Sequence, residues 1–267
     1  MRQMQRALRL FLLTVDCSLL TGCSVTPLTN KISVGEEAFV LAVGEGPDGM
    51  TDLFAAPAHG GAFARLSFNR MVESAPRLSE GGRMVAYLRR APGAAEPPEV
   101  VVLDLGNGAE ERVALPREAG SPAAVAWLPN NSRIAVRADS GLFGFAPPSA
   151  AAVPARLHGA DSARADSALG VPLGSPVAAM VVACDGGGLC VRTADAAVSP
   201  LDRGGHGAVR WGADSVGYFT GAGFEVRPLA GGRSRHPEWS GAPAHLRELT
   251  YAPSPAGDPR AGAPPPH

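Results

Sequence analysis

A strand, a tight turn and a second, buried strand recur along this chain at a spacing that few folds share. The unit reads Ala75-Pro76-Arg77-Leu78-Ser79-Glu80-Gly81-Gly82-Arg83-Met84-Val85-Ala86-Tyr87-Leu88, and again Val125-Ala126-Trp127-Leu128-Pro129-Asn130-Asn131-Ser132-Arg133-Ile134-Ala135-Val136. Shorter copies are Val209-Arg210-Trp211-Gly212-Ala213-Asp214-Ser215-Val216-Gly217-Tyr218-Phe219 and Leu249-Thr250-Tyr251-Ala252-Pro253-Ser254-Pro255-Ala256-Gly257. Their turns are built from residues that accept positive φ or preset a bend. Taken at Gly82, Ser132, Ser215 and Gly257, the turn ends are 50, 83 and 42 residues apart, and 83 is nearly twice 42. A worn copy is therefore expected near residue 174, where Gly174-Ser175-Pro176 precedes an apolar run from Val177, and a first copy starts at Gly35-Glu36-Glu37. Periods of about 40 to 50 residues in strand-and-turn text mark a β-propeller, with one four-stranded blade per period.

The remainder of each period agrees. A second strand such as Glu99–Leu105 is apolar on both faces, and a Gly-rich turn then leads to an outer strand such as Arg112–Leu115. Five such sets are found, and each is followed by the strand that opens the next unit. The fifth opener, Arg247 to Ala252, has no later unit to join, so it is expected to pair with the first blade and close a ring. The predicted fold is thus all-β, a β-propeller of five blades of four-stranded antiparallel sheets. A sixth blade, drawn from residues 24–34 and 155–176, is the alternative. Gly159 to Gly170, with Asp161-Ser162 and Asp166-Ser167, reads as a long loop. Gly 33 and Pro 25 among 267 residues exclude a helical bundle, and 45% hydrophobic with 18% charged residues excludes a disordered chain. A net charge of −1, with Lys31 the only lysine, points to no nucleic-acid partner.

The N-terminus carries an address. Arg2, Arg6 and Arg9 precede an apolar stretch from Leu10 to Leu20, the order of an export signal and too short to span a bilayer as a mature helix. The stretch ends Leu19-Leu20-Thr21-Gly22-Cys23, which resembles the bacterial lipoprotein box. That resemblance implies a diacylglyceryl group on Cys23 and cleavage before it. Ser24, in place of an Asp that would retain the protein at the inner membrane, implies the periplasmic side of the outer membrane. An ordinary signal peptide and an uncleaved anchor are the alternatives, and either exports the domain. The expected organisation is a lipoprotein signal peptide at 1–22, a lipidated tether at 23–34, the propeller at 35–257 and a disordered tail at 258–267. Cleavage removes three arginines and Asp16 and takes the formal charge from −1 to −3. Cys184 and Cys190, around a turn-rich link, are expected to face each other across a hairpin as a structural disulfide, ahead of two free thiols or a metal site.

Pro76-Arg77-Leu78-Ser79-Glu80-Gly81-Gly82 and Arg65-Leu66-Ser67 resemble the WD40-like repeat of the TolB type, most strongly over residues 51–137. Glu80 stands where that family has Pro, and Asp214-Ser215 replaces Asp-Gly. The matching residues specify turns, so the resemblance implies the propeller and not an activity.

Residues that could carry chemistry are scattered. No H-E-x-x-H, G-x-S-x-G or P-loop is present. His59-Gly60-Gly61 reads as a hairpin turn rather than an oxyanion loop. Asp48 and Asp52 are candidate calcium ligands without an EF-hand ladder. His158, His206, His236 and His245 fall in different units. Trp127 and Trp211 take equivalent positions and read as packing between blades. Arg77, Arg133 and Arg210 either cap strand ends or line an anion-attracting channel. The expectation is a monomeric, non-enzymatic module with no cofactor, anchored in the membrane by its lipid and binding an envelope protein or cell-wall component. The rival is a ligand- or glycan-processing propeller with a metal in the channel, which needs acids converging there.

Overall fold

The computed structural model describes residues 28, 31–46, 48–146, 154–170, 179–193, 198–212, 214–243 and 245–254. The expected signal peptide, Cys23, the turn at 174–176 and the tail 258–267 lie outside the described residues.

Strands are numbered in chain order. The first sheet contains β1 (Phe39–Glu45), β2 (Thr51–Pro57) and β4 (Ala64–Arg65), with β20 (Leu249–Ala252) on the other side of β1. The second runs β5 (Val72–Leu78), β6 (Met84–Arg90), β7 (Glu99–Asp104) and β8 (Glu110–Val113). The third runs β9 (Pro122–Trp127), β10 (Ile134–Ala138), β11 (Gly141–Phe145) and β12 (Ala155–Arg156). Among the described residues the fourth has β13 (Ala179–Ala183), β14 (Leu189–Thr193) and β15 (Val198–Asp202), and the fifth β16 (His206–Trp211), β17 (Ser215–Thr220) and β18 (Gly223–Pro228). All these pairings are antiparallel and, apart from β20, follow chain order. Four strands per sheet, as expected, are therefore found in three sheets; among the described residues a single bridge, Val226 to Arg235, continues the fifth beyond β18.

Each opening strand joins the sheet that follows it, and the last opener does what the repeat demands: β20 pairs with β1, with Phe39 opposite Ala252 and Ala42 opposite Leu249. Alternate residues of one strand serve two cores, which is why the runs are apolar throughout. Leu41 and Val43 of β1 pack with Val85, Tyr87 and Leu103 of the second sheet, whereas Val40 and Ala42 pack with Val209, Trp211 and Val226 of the fifth. Ala86 and Leu88 face the third sheet at Val125, Ile134 and Phe145. Leu189 of the fourth packs on Val216 and Tyr218 of the fifth. Sequential antiparallel sheets packed face to face, with the last strand completing the first sheet, is the construction principle of a propeller.

The turns have the backbone that their residues allow. Asn130 and Asn131 take φ of 58° and 51°. Gly82 has φ of 70°, and a Cβ there would lie 2.7 Å from that of Ala252, so the Gly-Gly turn lets the second sheet close on the β1–β20 edge.

Four expectations are corrected. Gly159–Gly170 is an α-helix, not a loop. Alanines at 160, 163, 165 and 168 favour it, and the i, i+3, i+4 set Ala165, Ala168 and Leu169 packs on Leu128, Ala135, Leu142 and Leu157. The stretch 23–34 is not all tether, because Leu28 and Ile32 are buried in the core between the first two sheets, and Leu28 N–H donates to Leu105 O at 2.9 Å. Cys184 and Cys190 are disulfide-bonded with Cα atoms 5.2 Å apart, but they are diagonal neighbours: Cys190 stands opposite Val182, and Cys184 N–H donates to Gly188 O. Gly60 and Gly61 are strand residues; β3 (Gly60–Ala62) pairs in parallel with β19 (Glu238–Ser240). A Cβ on Gly60, whose φ is 115°, would meet Glu238 O at 2.8 Å.

Candidate functional site

The end of the sheets where β1 turns into β2 and β4 runs into β5 contains a buried polar network. Its centre is Glu73 of β5, 1% exposed. Its carboxylate accepts the Ser67 hydroxyl at 2.6 Å, Leu53 N–H at 3.0 Å and Asn69 Nδ2 at 2.9 Å. Its backbone exchanges two 2.9 Å hydrogen bonds with the Thr51 hydroxyl. One glutamate thus ties the second sheet to the first and pins the 66–71 connection. Burial is the main force that pushes its carboxyl up to about 7, against the hydrogen bonds from Ser67 and Asn69.

Asp52 is fully buried beside it, and desolvation raises its pKa against the pull of Arg65. Arg65 Nη2 approaches Asp52 Oδ2 to 2.6 Å and Asp48 Oδ2 to 3.5 Å, while its Nε donates to Ser67 O. The Asp52 contact lacks hydrogen-bond alignment, so it is ionic. Asp48 has its pKa lowered, chiefly by Met50 N–H. The two acids weighed as calcium ligands therefore converge on an internal cation. Among the described residues no group of three or more His, Cys, Asp and Glu side chains has metal-site geometry.

On the other side of Glu73 lies Arg89, 3% exposed, whose Nη1 donates to both Glu110 carboxylate oxygens at 2.9 Å. Tyr87 donates to the same carboxylate at 2.8 Å, and burial raises its pKa. Burial would lower the pKa of Arg89, but the bonds to Glu110 prevail and raise it.

This network supports one exposed feature. Phe68, between Ser67 and Asn69, is 47% exposed, and the Arg65 guanidinium lies 4.9 Å from its ring centroid. Ser67 and Asn69 bond to Glu73 on either side of it, so an aromatic ring with a cation on its face stands at the surface on a fixed base. Glu73 is too deeply buried to meet a substrate, and the arrangement can take up a proton and position a ring.

The other candidates lie elsewhere. Arg77 is half-buried, its pKa lowered by burial against Glu248, and its carbonyl accepts Trp127 Nε1 at 2.8 Å. Arg133 pairs with Asp161 of the helix at 3.3 Å, and Arg210 Nε donates to Gly212 O. These three arginines do not meet. Trp211 packs between the fifth and first sheets, 4.6 Å from Tyr251 and 5.4 Å from Phe224. His206 stacks on Phe219, and His245 lies 3.9 Å from Glu45. Phe68, Glu73 and Arg89 were missed by sequence reasoning, because β5 also carries Ser74 and Arg77 and β6 ends Arg89-Arg90, so neither charge stands out in the strand text.

No protein-family model matches the chain, and no curated protein matches it. Among solved structures, one described as a nidogen/laminin complex aligns with TM-score 0.48 and 10% identity over 81% of this chain and 99% of that chain. TolB from Acinetobacter baumannii aligns with TM-score 0.37 and 13% identity over 81% of this chain and 67% of its own.

Proposed function

We propose that this chain is a five-bladed propeller lipoprotein, held by Cys23 on the periplasmic side of the outer membrane. It acts as a non-enzymatic, cofactor-free monomeric module that docks an envelope protein or cell-wall component. The supporting observation is Phe68: a large ring kept 47% exposed, with Arg65 against it and a buried hydrogen-bonded carboxylate beneath. Aromatic and arginine side chains dominate binding energy at interfaces, and a ring fixed in advance loses little entropy on docking.

Crosslinking in intact cells followed by mass spectrometry tests this, comparing the native chain with Cys23→Ala and Phe68→Ala. Cys23→Ala should release the protein to the soluble periplasm. Phe68→Ala should stay on the membrane, keep its thermal stability and lose about tenfold of the crosslinked partner, the loss of one interface anchor. Unchanged membrane retention of Cys23→Ala sinks the anchor, and an unchanged partner yield with Phe68→Ala sinks the docking role.

A further inference from the structure

The two ends of the sheets are chemically distinct, and the chain enters at one of them. Leu78 stands opposite Val85, Met84 opposite Asp104, and Phe39 opposite both Pro57 and Ala252, so the turns at 79–83 and 105–109 and the start of β1 share one end. Leu105 N–H donates to Arg83 O, and the Asn131 side chain accepts from Glu80 N–H and donates to Glu80 O while Asn130 N–H donates to the Glu80 carboxylate, tying the second and third sheets together there. Leu28 enters at this same end. It is 0% exposed, its N–H donates to Leu105 O, and its carbonyl accepts the N–H groups of Lys31 and Ile32. Phe68 and Arg70 lie at the opposite end, beyond Arg65, which pairs with Phe54. Seven-residue β5 links the two ends, so they are about 20 Å apart.

From this we propose that the end formed by Leu28, Lys31, Glu36, Arg83 and the 105–109 turn lies against the phospholipid headgroups, and that the Phe68 end faces away from the bilayer. The inference rests on lipidation of Cys23. Five Cα steps separate Cys23 from Leu28, a span of at most about 18 Å, of which the headgroup layer takes about 5 to 7 Å. Since Leu28 is built into the core, the tether cannot lengthen without breaking the packing between the first two sheets. The short leash therefore selects the face. Charge does not: Lys31 is accompanied by Glu36 and Glu37, and Arg83 is paired with Asp104 at 3.2 Å. The occupant is thus a lipid surface of any headgroup charge, held by geometry.

The test uses the full lipidated protein in phosphatidylcholine vesicles containing headgroup-spin-labelled lipid, with a fluorophore on Lys31→Cys or on Arg70→Cys. Lys31 and Arg70 are both exposed, and the native cysteines 184 and 190 are bonded to each other. Quenching at position 31 should exceed that at position 70 by about threefold or more, given the roughly 20 Å between the ends. It should be unchanged in 0.5 M salt, conditions that screen charges beyond about 4 Å. A 12-residue Gly/Ser insert after Val25 should leave vesicle binding intact and abolish the difference. Equal or reversed quenching on vesicle-bound protein overturns the assigned face while leaving the anchor standing. Equal vesicle binding by the Cys23→Ala chain overturns the anchor and the inference with it.

Discussion

Glu73 and Arg89 stand directly opposite each other across β5 and β6, both buried, and each makes its hydrogen bonds with different partners. The glutamate is held by Ser67, Asn69 and Leu53, the arginine by Glu110. Two charges withdrawn from water are tolerable only when each has a counter-charge or hydrogen bonds to spare. Arg89 stays protonated under all conditions of interest, so Glu73 is the member that changes state.

Its carboxyl is raised to about 7 in the folded protein, against 4.5 as the ordinary value. The native state then binds more protons than the unfolded state between those limits. The stabilisation is complete below pH 4.5 and is lost as pH rises through 7. The full effect is about 3 kcal/mol, and the raised pKa of Asp52 acts in the same direction. Asn69 Oδ1 is buried without a hydrogen-bond partner, so a rotated Asn69 amide could accept from a protonated Glu73 or from a glutamine there. Glu73→Gln should accordingly flatten the loss of stability between pH 5 and 8 in urea titrations. Identical pH slopes in the two proteins would refute the assignment.

The pairing of β20 with β1 is backed by the aromatic seat of Tyr251, 4.6 Å from Trp211, which itself touches Phe224 and lies near Trp239. Tyr251→Ala leaves β20 its backbone bonds but removes that seat. A cost of about 2 to 4 kcal/mol is expected, at or below the usual range for deleting an aromatic ring because Tyr251 is only half-buried. Chemical denaturation measures it, and a change below 0.5 kcal/mol, within the noise of surface substitutions, would mean that the strand is held without its ring.

The disulfide closes a short loop, and the chain-entropy model gives it about 2 kcal/mol. Replacing Cys184 and Cys190 together with serine should lower the melting temperature by a few degrees and remove its sensitivity to reductant. A native protein whose melting is indifferent to reductant would argue against a bond that matters for folding in an oxidising compartment.

The repeat was legible because its turns need particular residues: Gly82, Asn130 and Asn131 adopt the positive φ that their identities permit. The closing role of residues 247–252 followed from counting openers, and β20 occupies that place. The helix at 159–170 was obscured by its Asp-Ser pairs, which read as turn text until Ala165 and Leu169 found a surface to cover. The polar network was invisible because its bonds join residues of different strands: Asp52 to Arg65, Thr51 to Glu73, Arg89 to Glu110. Short spacings in sequence carry local turns, whereas a buried charge is recognised only by what folds around it.

The pairing of Phe39 with Ala252 has a temporal side as well. When the chain is delivered from its N-terminus, β1 emerges well before β20, and its neighbour on one side arrives 213 residues later. Until then the oldest sheet exposes an unpaired edge and an uncovered apolar face, a hazard for aggregation. Native pairing of β1 must therefore await residues 249–252, however early β1 itself is formed.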